Sequence, residues 1–298
     1  MKLKAWINAA RLRTLPLSIA GILVGSGIAW KDGNGDVLIL ILALLTTLSF
    51  QVLSNFANDY GDAEKGTDNE NRVGPMRAIQ SGVISAKQMK KGIIITILIA
   101  VMLTISLIYM AFGKENLALA LFFLFLGGLA ILAAIKYTVG NSAYGYRGLG
   151  DLFVFLFFGL VGVLGSLYLY AKEFTLFDVL PAISVGLLSV GVLNLNNMRD
   201  HVGDQLANKN TLVVLIGFEK AKIYHSFLIL GGVLSFSVYA ITEANSFIWI
   251  INLLPFGIFA IHLKKVWQTR EAKLLDSQLK VVALTTFLVS LIWFILYL

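Results

Sequence analysis

Nine apolar stretches constrain this chain more than anything else in it. They lie near residues 14–30, 37–57, 92–112, 116–135, 152–171, 175–197, 223–242, 246–263 and 280–298. Each is about 17–23 residues long, and roughly 20 apolar residues in a helix cross the ~30 Å hydrocarbon core of a bilayer. A helix suits lipid because it satisfies its own backbone N–H and C=O groups. The pattern predicts an all-α membrane protein with nine transmembrane helices. Composition agrees: 58% of the 298 residues are hydrophobic and 14% are charged, against about 25% charged in soluble domains. So few charges could not coat a globular surface. The opening MKLKAWINAARLRTLP is basic and lacks an apolar core followed by a small-residue cleavage site. It reads as an interfacial lead-in to the first span, not a removable signal.

The net charge of +7 has a topological cause, so no nucleic-acid partner is expected. With the N-terminus inside, all but three of the 24 Lys and Arg residues fall on the inner side, leaving Lys31, Lys114 and Lys172 outside. This positive-inside bias predicts a cytoplasmic N-terminus, an outer C-terminus and an odd number of spans. The outer loops KDGNGD, GKEN and AKEF are short, whereas inner segments near 58–91 and 198–222 are long. Long loops gathered on one face tend to carry function. There is no cysteine, which excludes disulfides, thiolate metal sites and a cysteine nucleophile. His201, His225 and His262 are too scattered in sequence to signal a zinc site.

The second span runs out through Asn55, Asn58, Asp59 and Asp62, followed by Glu64, Lys65 and Asp68. On a helix, Asn55, Asp59 and Asp62 share one face. The sixth span ends in Asn196, Asp200 and Asp204, again on one face, with Arg199 and His201 between them. Two spans, four apart in order, thus end on the same side with the same device. This predicts one domain over 1–298 built as a pseudo-repeat: spans 1–4 (about 14–135), spans 5–8 (about 152–263) and an extra span (about 280–298). A charged segment beside a single span is usually a solvated interface; the matched pair argues for more. Stacked carboxylates repel unless a cation lies between them, and oxygen-only ligands favour Mg²⁺ over zinc. Lys65, Arg72 and Arg77 follow the first cluster, and Lys209 follows the second. Mg²⁺ with Arg and Lys suits a diphosphate, and a lipid-embedded cavity suits one with a long apolar tail.

These motifs resemble the UbiA superfamily of intramembrane aromatic prenyltransferases. The resembling stretches are ARLRTLPLS (10–18), NDYGDAEKGTDNENRVGPMRAIQSG (58–82), KYTVGNSAYGYRGLGDLFVFLFFG (136–159) and NNMRDHVGDQLANKNTLVVLIG (196–217). The second of these, with the later YGYRGLGD, points to the branch that prenylates 1,4-dihydroxy-2-naphthoate in menaquinone biosynthesis. The resemblance implies nine helices around a central cavity that opens sideways to the lipid bilayer. It implies that Asn58, Asp59, Asp62, Asp200 and Asp204 coordinate Mg²⁺ and the diphosphate, the four aspartates being catalytic. Asn55, Asn196, Lys65, Arg72, Arg77 and Lys209 are expected at the diphosphate. Arg11, Lys136, Tyr137, Tyr144 and Arg147 are candidates for the naphthoate. The expected substrates are a polyprenyl diphosphate and 1,4-dihydroxy-2-naphthoate, giving demethylmenaquinol at the cytoplasmic side of a bacterial plasma membrane. Two departures stand out: Gly66 occupies a position often acidic in the superfamily, and Asn208-Lys209-Asn210-Thr211 replaces its usual GK-x-T.

Other membrane classes fit less well. A secondary transporter places carboxylates near the midplane, at broken helices of inverted repeats; here they sit at span ends, and four-span repeats keep parallel topology. A CDP-alcohol phosphotransferase holds its aspartates in one continuous motif. Relatives of the superfamily that prenylate other acceptors, such as 4-hydroxybenzoate, remain alternatives on sequence.

Overall fold

The computed structural model describes residues 2–68, 73–114, 116–243 and 248–298, with backbone alone for Arg13 and Ile248. Helix α1 (Lys2–Ala10) leads through a turn at Arg11 and a 3-10 turn into α2 (Leu15–Lys31), with a 46° bend between the two. Pro16 stands in the first turn of α2, where a missing N–H costs nothing. Then come α3 (Val37–Glu64), α4 (Ala86–Phe112) and α5 (Leu117–Lys136). The next span joins α6 (Gly150–Val154), a π-helical stretch Phe155–Gly165 and α7 (Ser166–Ala171). It is followed by α8 (Val179–Leu206), the short α9 (Leu212–Ile216) and α10 (Phe218–Glu243). Helices α11 (Ile248–Leu253) and α12 (Gly257–Gln268) flank a turn at Pro255, and α13 (Asp276–Tyr297) ends the chain. Among the described residues, eight helices are long and apolar enough to cross a membrane, and the bent pair α1–α2 supplies a ninth. The protein is an integral, multi-pass membrane protein.

Helices α3 and α8 are the longest, with 28 residues each. At 1.5 Å per residue each measures about 42 Å, some two turns more than the hydrocarbon needs. The apolar runs end near 57 and 197, but the helices continue to Glu64 and Leu206. The extra turns carry the acidic residues, so both clusters stand on rigid backbone rather than on loops.

Small residues bring the inner helices together. A Cβ on Gly25 of α2 would lie 2.3 Å from the Val163 carbonyl oxygen, and one on Gly159 would lie 2.6 Å from that of Ala182. Only glycine allows such approach, as is common in membrane bundles. Helices α4, α5 and α10 turn Leu98, Met102, Phe125, Phe227 and Leu234 outward, as helices solvated by lipid do. Gly127 meets the Thr104 methyl across α4 and α5. At the pole opposite the acidic clusters, Lys31 pairs with Glu243 at 2.6 Å. There Asp178 is buried under Thr175 and Tyr239.

Candidate active site

The first cluster is assembled from three separate stretches of chain. Asn55 is buried on α3, and its Nδ2 donates to the Ala10 carbonyl at 2.8 Å while its Oδ1 accepts from Gln51. This pins the end of α1, where Arg11 adopts left-handed backbone (φ 52°), a conformation costing a non-glycine residue about 1 kcal/mol or more. The turn delivers the Arg11 guanidinium to Asp59 Oδ1 at 2.6 Å. Arg77 Nε approaches the same oxygen at 3.5 Å and lies 3.9 Å from Asp68. Asp62, one turn on, accepts from the Tyr146 hydroxyl at 2.8 Å, which is itself 2.6 Å from Thr67 Oγ1. Asn58 Oδ1 receives a long bond of 3.3 Å from Thr138.

The second cluster is built around Arg199, which is buried. Its Nε and Nη2 grip both oxygens of Asp200 at 2.8 and 2.6 Å, and Nη2 also donates to Asn196 Oδ1 at 2.9 Å. Its Nη1 reaches Asp276, the first residue of α13, at 2.5 Å. Beyond α8 the chain turns at Asn208, in left-handed backbone with φ 54°. That turn returns Lys209 to within 3.5 Å of Asp204 Oδ1.

The two clusters meet at Tyr146. Lys65 Nζ lies 3.8 Å from the centre of its ring and Lys209 Nζ 5.5 Å, both within cation–π range. Its carbonyl also accepts from Asn210 N–H at 3.2 Å. Burial opposes charge on Lys209, but the Asp62 and Asp204 carboxylates outweigh it and hold the ammonium above the ordinary lysine range. Burial, then the negative charge of Asp62, pushes the Tyr146 phenol upward, so it stays neutral and donates. Burial is the leading reason that Tyr137 is pushed up to about 12.

The structure thus brings Asp59, Asp62, Asp204, Lys65, Arg77 and Lys209 to one pole. It gives other candidates different company. Asn55 and Asn196 spend their amide oxygens on Gln51 and Arg199. Arg11, expected with the naphthoate group, is the closest partner of Asp59. Tyr137 and Tyr144 pack edge to face, and the Tyr144 hydroxyl donates to the Ala133 carbonyl. Lys136 and Arg147 are exposed, Arg147 making one long bond to the Asn141 carbonyl. Arg72 lies outside the described residues. Sequence reasoning passes over Tyr146, Thr67 and Asp276; their partners are too remote along the chain for spacing to reveal them. The histidines look scattered in sequence, yet His225 and His262 meet with their Nε2 atoms 2.7 Å apart. They lie in the packed interior, and His262 bonds to Gln278.

Among the described residues no three His, Cys, Asp or Glu side chains could hold a metal by themselves. Yet Asp59 Oδ2 and Asp204 Oδ2 are buried acceptors with no hydrogen-bond partner among those residues. Leaving such atoms unsatisfied costs about 1–3 kcal/mol each, more when charged. A few hard oxygen donors fit Mg²⁺, which keeps waters and takes phosphate oxygens to complete its shell. Further into the bundle, a cavity of about 100 Å³ opens between α2, α3, α4, α5 and the π-helical span, lined by Phe50, Thr46, Leu107, Phe123 and Val161. Phe50 is nine residues before Asp59 on α3, about 13 Å along the axis. The chamber is therefore apolar and set deeper than the charges.

Fold and site together define a membrane-embedded protein with buried acidic and basic side chains gathered at one pole above an apolar interior. Residues 18–292 match the UbiA prenyltransferase family, and the chain belongs to that family. It is 42% identical over 294 residues to a 1,4-dihydroxy-2-naphthoate octaprenyltransferase of Haemophilus influenzae, covering 98% of this chain and 95% of the relative. An Escherichia coli protein of the same name is 45% identical over 243 residues, covering 82% and 78%. A UbiA homologue from Archaeoglobus fulgidus, solved bound to DMAPP and Mg²⁺, shares the fold with a TM-score of 0.67 at 14% identity, covering 96% of this chain and 98% of the homologue.

Proposed function

We propose that this protein transfers a polyprenyl group from polyprenyl diphosphate to 1,4-dihydroxy-2-naphthoate, releasing diphosphate and carbon dioxide and forming demethylmenaquinol. The observation that carries the reading is the convergence of two buried acidic clusters on one pole. Each contributes a carboxylate oxygen beside Arg or Lys that has no hydrogen-bond partner among the described residues. The names of the two bacterial relatives support the acceptor, and the ligands of the archaeal homologue support an isoprenyl diphosphate with Mg²⁺.

In this reading Asp59, Asp62, Asp200 and Asp204 hold Mg²⁺, with Asn58 beside them. When bound, Mg²⁺ supplies positive charge to the diphosphate leaving group. Lys65, Arg77, Lys209 and, by its position, Arg11 bind the diphosphate oxygens; Arg72 is a further candidate. The bond between the allylic carbon and oxygen breaks, its electron pair leaving on diphosphate. The dry interior keeps water from the allylic cation. The electron-rich ring carbon that carries the carboxylate forms the new carbon–carbon bond. The carboxylate departs as carbon dioxide, and its bonding pair restores the ring, so no proton is needed at that carbon. Tyr137, Tyr144, Lys136 and Arg147 are the proposed surroundings of the acceptor. The apolar cavity suits the tail, whose methylenes favour apolar surroundings by about 0.8 kcal/mol each. In this reading the basic pole faces the cytoplasm of a bacterial inner membrane, which the charge asymmetry of the loops supports, and α3 and α8 are taken as equivalent spans of a four-span repeat.

The test is an assay of the purified protein with farnesyl diphosphate, dihydroxynaphthoate and Mg²⁺, with and without EDTA, alongside Asp59→Asn and Asp200→Asn. A prenylated naphthoquinol that EDTA and both substitutions abolish is the expected result. Folded protein that prenylates 4-hydroxybenzoate and not the naphthoate would overturn the acceptor and keep the chemistry.

A further inference from the structure

The geometry points to Asp276, at the head of the last span, as a positioning residue that keeps Asp200 fit to bind a cation. A guanidinium has five N–H donors, and four of those of Arg199 are spent: two on Asp200, one on Asn196 and one on Asp276. Arg199 is therefore committed to protein groups and is not a free hand for a diphosphate. Its ion pair with Asp200 is short, at 2.6 Å, and both side chains are largely buried.

An isolated Arg199–Asp200 pair would be close to neutral and would attract Mg²⁺ poorly. Asp276 changes that sum. One guanidinium divided between two carboxylates leaves a net negative charge, and Asp200 keeps part of it. Asp276 also fixes the guanidinium plane from the side opposite Asp200, which holds Asn196 and Asp200 in register along α8. The Asp276 side chain is 43% exposed, whereas that of Arg199 is 2% exposed. The rim carboxylate thus gives up little hydration to do this. The last span lies outside both four-span halves, so it supplies the second cluster with a residue that the repeat does not contain.

A plainer role would be to dock α13 on the rest of the bundle. That task already has other means. Leu275 is fully buried, Gln278 Oε1 accepts from His262 Nδ1 at 2.9 Å, and His262 meets His225 on α10 at 2.7 Å. The helix head is anchored one residue before and two residues after Asp276, so its carboxylate can be changed without releasing the helix.

The inference rests on the reading that the second cluster holds Mg²⁺, and the experiment separates the two. Purified protein in nanodiscs is titrated with Mn²⁺ as the probe, in the presence of farnesyl diphosphate, and free Mn²⁺ is read by electron paramagnetic resonance. Asp276→Asn is expected to weaken Mn²⁺ binding by about three- to tenfold, the scale of a divalent cation losing one charge about 10 Å away when that charge is screened at nearly the dielectric of water. The Mg²⁺ concentration for half-maximal turnover should rise by a larger factor than kcat falls. Asp276→Glu should restore the affinity to within about twofold. Gln278→Leu, which disturbs the dock alone, should lower Tm and leave Mn²⁺ affinity unmoved; Asp276→Ser serves if the Asn variant does not assemble. Equal Mn²⁺ affinity in wild type and Asp276→Asn overturns the inference, as does an equal loss in Gln278→Leu. Wild-type protein that binds no Mn²⁺ overturns instead the metal reading on which it stands.

Discussion

Buried carboxylates occur at both poles of the bundle, and the protein serves them differently. At the pole of Lys31 and Glu243, Asp178 has both oxygens filled: Oδ2 by the Thr175 amide and hydroxyl at 2.7 and 2.8 Å, Oδ1 by the Tyr239 hydroxyl at 3.1 Å. At the opposite pole Asp59 and Asp204 are as deeply buried, yet each keeps one oxygen without a partner among the described residues. A buried acid whose hydrogen bonds are complete is a structural pin. One that is half satisfied beside Arg or Lys stores a demand that a ligand can meet. The two acidic clusters differ again from each other. The first borrows its cations from the N-terminal turn and the loop after α3, as Arg11 and Arg77. The second uses Arg199 of its own helix, braced by the last span. The acidic pattern repeats and its supports do not.

The sharpest way to break the contrast is to neutralise the half-satisfied acids. Asp59→Asn and Asp204→Asn should each lower turnover by more than about a hundredfold, the scale of losing roughly 3 kcal/mol of charge stabilisation in the transition state. Tm should fall by no more than a few degrees, because the amide keeps an oxygen for Arg11 or Lys209. A large fall in Tm with modest loss of turnover would make these acids structural, like Asp178. Next in size is Arg11→Met. Charge-assisted hydrogen bonds contribute about 1.5–3 kcal/mol, so kcat/KM should fall about ten- to a hundredfold, with the change in KM borne by the prenyl diphosphate. If the KM for the naphthoate moves alone, Arg11 belongs to the acceptor, the role that the family resemblance suggests for it.

Tyr146→Phe comes third. It removes the hydroxyl between Asp62 and Thr67 while keeping the ring beneath Lys65 and Lys209. Loss of one hydrogen bond to a charged group, about 1.5 kcal/mol, predicts roughly a tenfold drop in kcat/KM. Tyr146→Leu, which removes the ring as well, should cost more. Equal effects from the two variants would show that the ring contributes nothing to holding the lysines.

Much of the acidic pole is legible in the amino-acid sequence. Asn55, Asp59 and Asp62 announce one helical face by spacing alone, and so do Asn196, Asp200 and Asp204, because helical periodicity is local. What spacing does not reveal is what each acid touches. Arg11 and Asp59 are 48 residues apart, Arg199 and Asp276 77, Tyr146 and Asp62 84. No spacing rule reaches that far. The ends of α3 and α8 are hidden for another reason: once the apolar run stops at the membrane surface, a helix continuing into water looks like a polar loop. The π-helical stretch FLFFGLVGVLG is equally silent. Uniformly apolar residues carry no periodicity by which a wider helix could be told from an α-helix.

The smallest expected effect on turnover belongs to Asp178→Asn, and it tests the contrast from the structural side. The side chain keeps its shape and one oxygen, so either the Tyr239 hydroxyl or the Thr175 donors can still be served. The other side then faces an amide that donates where a donor already points. That mismatch should cost about 1–3 kcal/mol of stability, read as a fall in Tm of several degrees in detergent. Turnover at 25 °C should stay within about twofold of wild type, because a 28-residue helix separates Asp178, at the head of α8, from the acids near its tail. Loss of turnover comparable to Asp204→Asn, with Tm unchanged, would mean that complete hydrogen bonding does not mark a buried acid as structural in this bundle. The distinction between the poles would then have to be drawn from charge alone.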